Sequence, residues 1–170
     1  MNKESSYPKT IKKSGDVLEY MIINLRDYPN LLEECINYVS QRWGLNRKIF
    51  EDCITSSMNT NHSLPRWYFM MKSNEIIGSF SLMTNDFVSR QDLGPYLSNL
   101  YVEEEERGKK LGEILLNHAR KEAHKLGFQK LYLCTDHENY YEKYGWAHIT
   151  NGYHTWNRES KIYAADTICE

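Results

Sequence analysis

The residues best equipped for chemistry lie between positions 100 and 112. A strand-like run ends at Val102, four glutamates follow as Glu103 to Glu106, and Arg107-Gly108-Lys109-Lys110-Leu111-Gly112 opens a long amphipathic segment. The first four amides of a helix have no intrahelical partners and sit at the positive end of its dipole. Glycines let a phosphate approach such a backbone closely, and Arg107, Lys109 and Lys110 add positive charge to the same turn. The pattern suits an anion-binding turn, and it equally suits an ordinary helix start with solvated lysines. The glutamates do not exclude the anion, because surface charge is screened over about 8 to 10 Å. Two known phosphate loops are excluded. A Walker A loop needs Ser or Thr after its Gly-Lys, where residue 113 is Glu, and a dinucleotide fingerprint needs three glycines directly after the strand.

Periodicity supplies the elements that must hold this turn. Glu19 to Leu25 reads as a first strand, ended by Asp27, Pro29 and Asn30. Leu31, Leu32, Cys35, Ile36 and Val39 recur at helical spacing up to Gly44, and a second helix runs through Ile49, Phe50, Cys53 and Ile54. Trp67 to Met71 and Ile76 to Met83 form a hairpin about Ser73-Asn74. After the loop Thr84 to Gly94, Tyr96 to Val102 is apolar at both parities, as expected of a central strand covered on both faces. Leu111, Gly112, Leu115, Leu116, Ala119, Ala123 and Leu126 then form one stripe of a long helix ending near Gly127. Leu131 to Thr135 completes a strand–helix–strand crossover. A short helix around Asn139 to Tyr144 and two closing strands, Trp146 to Trp156 and Lys161 to Ile168, finish the chain. One α+β domain with a mixed sheet is expected over residues 1–170, with residues 1–15 as a polar, flexible lead.

Composition narrows the function. The chain has 170 residues, 41% hydrophobic and 26% charged, with a net charge of −2. That balance fits a folded domain and disfavours a nucleic-acid partner. Cys35, Cys53, Cys134 and Cys169 lie far apart, so neither a zinc site nor a disulfide framework is expected. No stretch approaches the roughly 18 apolar residues of a membrane span, and residues 1–15 lack a signal-peptide core. A cytoplasmic location away from membranes is expected. The 13 Tyr and 4 Trp suit core, subunit contact or pocket lining, which leaves a homodimer open. His118 and His124 lack ligand spacing and read as ordinary helix residues.

The run Leu100 to Gly112 resembles the signature of the GNAT superfamily of N-acetyltransferases, whose acetyl-CoA loop reads Gln/Arg-x-x-Gly-x-Gly/Ala. Downstream, Tyr140-Tyr141-Glu142-Lys143-Tyr144-Gly145-Trp146 is similar to that superfamily's second motif, and the order of elements agrees along most of the chain. One position departs: the family's middle glycine is Lys110 here, a change that costs little if residue 110 keeps a helical φ. The resemblance implies an α+β, three-layer fold. Its sheet is mixed and mostly antiparallel, with a central splayed strand pair and flanking helices. It implies an enzyme that uses acetyl-CoA as co-substrate and no metal. The acetyl group passes to a primary amine of a small molecule or peptide by direct attack in a ternary complex. The alternative is a non-catalytic module of the same fold that binds CoA esters.

Further roles follow from the same resemblance. The pyrophosphate would rest on the amides of Arg107, Gly108, Lys109, Lys110, Leu111 and Gly112, and the pantetheine arm would pair with the backbone of Leu100, Tyr101 and Val102. An amide near Leu100 would stabilise the oxyanion. Tyr141 matches the general acid that protonates the leaving thiolate, a reading favoured over a residue that merely packs, as Tyr140 and Tyr144 are the expected packers. Deprotonating the amine calls for a base. Asp92 in the Thr84 to Gly94 loop is the first candidate, with Asp136 and His137 as alternatives. The acceptor pocket is expected between the first two helices, that loop and the last hairpin near Tyr153 to Trp156, lined by Trp43, Trp67, Asp92 and Tyr96.

Overall fold

The structure, a computed structural model, describes residues 20–169, so the expected lead over residues 1–15 lies outside the described residues. The strands are β1 (Tyr20–Asn24), β2 (Arg66–Lys72), β3 (Glu75–Met83), β4 (Tyr96–Val102), β5 (Lys130–Thr135), β6 (Ala147–Tyr153) and β7 (Glu159–Asp166). They form one seven-stranded sheet in the order β1-β2-β3-β4-β5-β7-β6. Every neighbouring pair is antiparallel except β4 and β5. The helices are α1 (Leu32–Trp43), α2 (Arg47–Met58) and α3 (Leu111–Lys125). Among the described residues no helix is long and apolar enough to cross a membrane.

The period of two in β2 explains the layers. Trp67, Phe69 and Met71 face a core shared with Ile36 and Val39 of α1 and Phe50 and Ile54 of α2. Tyr68 and Met70 belong to the opposite core, where Leu111, Leu115, Leu116 and Ala119 of α3 pack. Tyr68 stacks on Phe80 at 4.6 Å, and His118 meets both rings edge-on, which makes it a core histidine of α3.

Two irregularities shape the centre of the sheet. First, β4 and β5 share a single register pair, Tyr96 with Tyr132, so the strands diverge toward Val102 and Thr135. Second, the β3–β4 register shifts between Ser79 and Ser81, and Asn99 opposite has φ +54°. Asparagine is among the few side chains that tolerate this left-handed region. The bulge is pinned by small polar groups. Asn99 Nδ2 donates to Ser81 Oγ at 2.8 Å, Ser81 Oγ donates to the Ser98 carbonyl at 3.2 Å, and Ser79 Oγ donates to the Asn99 carbonyl at 3.2 Å. These contacts account for two fully buried serines inside an otherwise apolar strand.

The helix expected around Asn139 to Tyr144 is shorter than its sequence suggests. It is one 3-10 turn, Tyr141–Tyr144, because Asn139 adopts φ +59° and cannot join a right-handed helix.

Candidate active site

The helix start of α3 carries the geometry of an anion site. Three of the four glutamates before it are committed to cations. Glu103 holds Arg42 at 2.7 Å, Glu104 meets Arg107 at 3.3 Å, and Glu106 holds Lys72 at 2.6 Å and Lys109 at 2.8 Å. The N-cap position of α3 makes no side-chain hydrogen bond to the first turn, so its leading amides are left for a ligand. Arg107 lies over the Tyr101 ring at 5.6 Å, and its Nε donates to the Val102 carbonyl at 3.2 Å.

Lys110 corrects one expectation. Its φ is +60°, not helical, so the residue that replaces the family's glycine occupies the conformation that favours glycine. We expect Lys110→Val, which is β-branched, to lower unfolding free energy by about 1–2 kcal/mol, while Lys110→Gly loses none. Urea unfolding of the two variants checks this.

An open cleft of about 760 Å³ runs from this turn to the splayed strands, with Leu100, Tyr101, Val102, Arg107, Gly108 and Lys110 along one wall. His137, Tyr140, Tyr141 and Tyr144 form the other. Of the remaining candidates, Leu111 is buried in the α3 core and Lys109 is held by Glu106. Gly112 lies under the Tyr140 hydroxyl, which fills the space a Cβ at that position would take.

Tyr141 is 8% exposed, set edge-on against Trp146 at 6.3 Å and Tyr140 at 5.0 Å. Burial, then the neighbouring Tyr140, pushes its phenol up to about 12 against the opposing pull of a hydrogen bond with Thr135. The phenol is therefore protonated at neutral pH and able to donate.

A second cleft of about 530 Å³ lies beyond Leu100. Its walls come from α1 and α2 (Trp43, Phe50), the loop after β3 (Asp86, Phe87) and the β6–β7 turn (His154, Trp156). The loop is tied to that turn, because Val88 bridges His154 and the Ser89 amide donates to the Tyr153 carbonyl at 2.8 Å. Trp43, Leu100 and Tyr141 line both clefts, so the two meet where β4 and β5 separate.

The acid of this second cleft is Asp86. Ser98 Oγ donates to Asp86 Oδ1 at 2.6 Å, and the Cys134 thiol is its second partner. Burial raises the Asp86 carboxyl above its ordinary value, outweighing the opposing pull of Ser98. Asp92 is elsewhere, outside the residues that line the cleft. Arg90 grips it from two residues away, Nε to Oδ1 at 2.8 Å and Nη2 to Oδ2 at 2.6 Å, and it stays 60% exposed. Tyr96 is also not in the cleft: it is fully buried, with its ring 5.9 Å from Tyr132. Asp136 is paired with Arg158, and His137 lines the first cleft, not the second. The sequence pointed to Asp92 in this loop, and the carboxylate of the loop that lines the cleft is Asp86. The available signal was local, since Asp92 has an arginine two positions away whereas Asp86 has only Asn85, Phe87 and Val88 about it.

Among the described residues there is no group of three or more His, Cys, Asp or Glu side chains arranged to hold a metal ion.

Comparison with known proteins agrees with this geometry. No curated protein sequence matches the chain. Among solved structures, the aminoglycoside 6'-N-acetyltransferase from Enterococcus faecium superposes with a TM-score of 0.67 at 17% identity, covering 88% of this chain and 98% of that one. An aminoglycoside 6'-N-acetyltransferase complexed with coenzyme A gives 0.66 at 18% identity over 88% and 98% of the two chains. A spermidine N-acetyltransferase chimera from Vibrio cholerae and hSSAT gives 0.64 at 16% identity over 87% and 95%. At such identities these likenesses establish the fold. The family model described as Acetyltransferase (GNAT) family matches residues 37–146, more than half of the chain and the whole of the α3 turn and the Tyr141 segment, so this protein belongs to the GNAT acetyltransferase family.

Proposed function

We propose that the protein transfers an acetyl group from acetyl-CoA to a primary amine of a small molecule by direct attack within a ternary complex. The observation that carries the reading is the meeting of the two clefts at Leu100 and Tyr141. A thioester lying along the first cleft delivers its carbonyl to that junction, and an amine in the second reaches it without leaving the protein.

The cofactor fits the residues present. The leading amides of α3, with Lys110 and Arg107, suit a pyrophosphate, and the edge of β4 that β5 leaves uncovered from Leu100 to Val102 suits the amide-bearing arm. When bound, acetyl-CoA supplies the activated acyl group; the rest is the work of side chains. An alkylammonium has a pKa near 10 and cannot attack, so Asp86, a base strengthened by burial, takes its proton directly or through water. Tyr141 gives its proton to the departing thiolate. The amine nitrogen forms its bond to the acetyl carbon as the carbon–sulfur bond breaks, and the amide near Leu100 would hold the oxyanion. Four unpaired thiols suit a reducing compartment, so a cytoplasmic location is part of the same proposal.

Initial-rate kinetics test the mechanism. Free-thiol release measured against both substrates gives intersecting double-reciprocal lines for direct transfer, and parallel lines would instead mean an acetylated enzyme. The cofactor site has its own test. Gly112→Glu displaces the Tyr140 hydroxyl and sets a carboxylate beside the pyrophosphate. CoA affinity by calorimetry is expected to fall at least tenfold, about 1.4 kcal/mol. Unchanged affinity would remove the α3 turn from the account.

A further inference from the structure

We infer that the amine acceptor is a monocation with an apolar, preferably aromatic, body, and not a polyamine or an aminoglycoside. The inference rests on the second cleft being the acceptor site, as proposed above. Three observations carry it.

The first is the charge of the lining. Among the described residues, Asp86 is the one carboxylate on the walls of the cleft, and the single guanidinium there, Arg158, is paired with Asp136. A monoamine entering the cleft exchanges water for one carboxylate. Each further ammonium of a polycation would be desolvated with no counter-charge, which is strongly unfavourable.

The second is that Ser98, Cys134 and Asn99, on the β4 and β5 side of the cleft, are already partnered, whereas Trp67 Nε1 and His154 Nδ1 are buried there without a partner among the described residues. Ser98 Oγ and the Cys134 thiol are turned to Asp86, and Asn99 Nδ2 is turned to Ser81. Apart from the ring nitrogens of Trp67 and His154, they leave little to satisfy the hydroxyl-rich rings of a sugar, and a buried hydroxyl without a partner weakens binding.

The third is the rim. Trp43, Leu45, Ile49, Phe87 and Trp156 are between 41% and 59% exposed and all line this one cleft. Large apolar groups from separate elements, gathered in one place and left uncovered, mark a surface meant to be covered. Phe87 is held there at φ +53°, a conformation a bulky side chain adopts only when its surroundings impose it. Trp156 is backed by His154, stacked at 4.4 Å and 6°, so its face is rigidly presented. Rings of this kind hold an aryl group by stacking, and an ammonium on its way to Asp86 by cation–π attraction. The lining thus differs from what an aminoglycoside or spermidine would need, although proteins named for those substrates share the fold.

The experiment uses the full chain in three arms. Calorimetry with CoA comes first; 2-phenylethylamine, tryptamine, spermidine and kanamycin are then compared as acceptors by thiol release, with the acetylated product confirmed by mass. Finally, Phe87→Ala and Trp156→Ala, both on the exposed rim, are assayed with the best acceptor. The expected result is CoA binding, with kcat/KM for the aryl monoamines at least tenfold above that for spermidine and kanamycin. Each rim variant should raise the aryl-amine KM at least fivefold while CoA affinity is unchanged. If CoA binds but the polycations are used equally well or better, or no aryl amine is acetylated, or the rim variants leave KM unmoved, the acceptor class is overturned and the cofactor reading stands. Absence of CoA binding overturns the proposed function itself, and this inference with it.

Discussion

Replacing Tyr141 with phenylalanine is expected to lower kcat by ten- to a thousandfold while CoA affinity hardly moves. The substitution deletes one hydroxyl and keeps the ring against Trp146, Tyr140 and Tyr163, so the wall shared by the two clefts keeps its shape. Thr135 loses one partner but still accepts the His137 amide at 3.0 Å, and no buried group is orphaned. On the proposed mechanism, what disappears is the donor for the leaving thiolate, a loss of about 1.4–4 kcal/mol in transition-state stabilisation by the usual span of one general acid. The loss should be smaller for an acyl donor whose thiol is more acidic, because a better leaving group has less need of a proton. A Tyr141→Phe protein with wild-type kcat would show that solvent supplies it.

Asp86→Asn is expected to cost more, a hundred- to ten-thousandfold in kcat/KM for the amine, because base and ammonium anchor are lost together. Two further readouts separate this from damage to the fold. The wild-type acidic limb of kcat/KM should lie above the ordinary carboxylate range, since the base works only when deprotonated and burial raises Asp86; in the Asn protein that limb should vanish. Stability should move the other way. With its folded pKa above the unfolded one, Asp86 favours folding at low pH, where it is protonated. That contribution is lost as pH rises from the unfolded value through the folded one. At neutral pH the neutral amide spares the chain a buried charge, so the variant's melting midpoint should equal or exceed the wild type's. A midpoint several degrees lower would mean that the carboxylate supports the fold and is not reserved for the reaction.

The parts legible in the sequence were those written locally. The α3 turn and the Tyr141 segment are contiguous motifs, and the stripe on α3 states its own periodicity. The acid of the second cleft was not legible in the same way. Asp86 and Asp92 share one loop, and what separates them is three-dimensional: Ser98 on β4 and Cys134 on β5 reach Asp86, whereas Arg90 reaches Asp92 across two residues. Tyr96 failed as a lining residue for a related reason. On a strand covered on both faces, parity does not tell which side opens to a cleft, and its ring went to Tyr132. Lys110 shows a third limit: its residue type suggested a helical conformation, but the geometry of the turn before α3 imposed φ +60°.

The parting of β4 from β5 after a single pair has a consequence for the protein between turnovers. Strand borders with unsatisfied backbone groups ordinarily lie at the outside of a sheet, where they invite other chains to add on. Here two such borders face each other inside a wedge, walled by Trp43, Tyr140 and Tyr141. The recess admits a slender arm of amides and turns away a foreign strand. A ligand that fills it joins the two halves of the sheet, and by mass action adds about 2.7 kcal/mol of folding free energy at a hundred times its dissociation constant. If the proposed cofactor fills this recess, its depletion is expected to expose an unmated border and shorten the protein's lifetime in the cell.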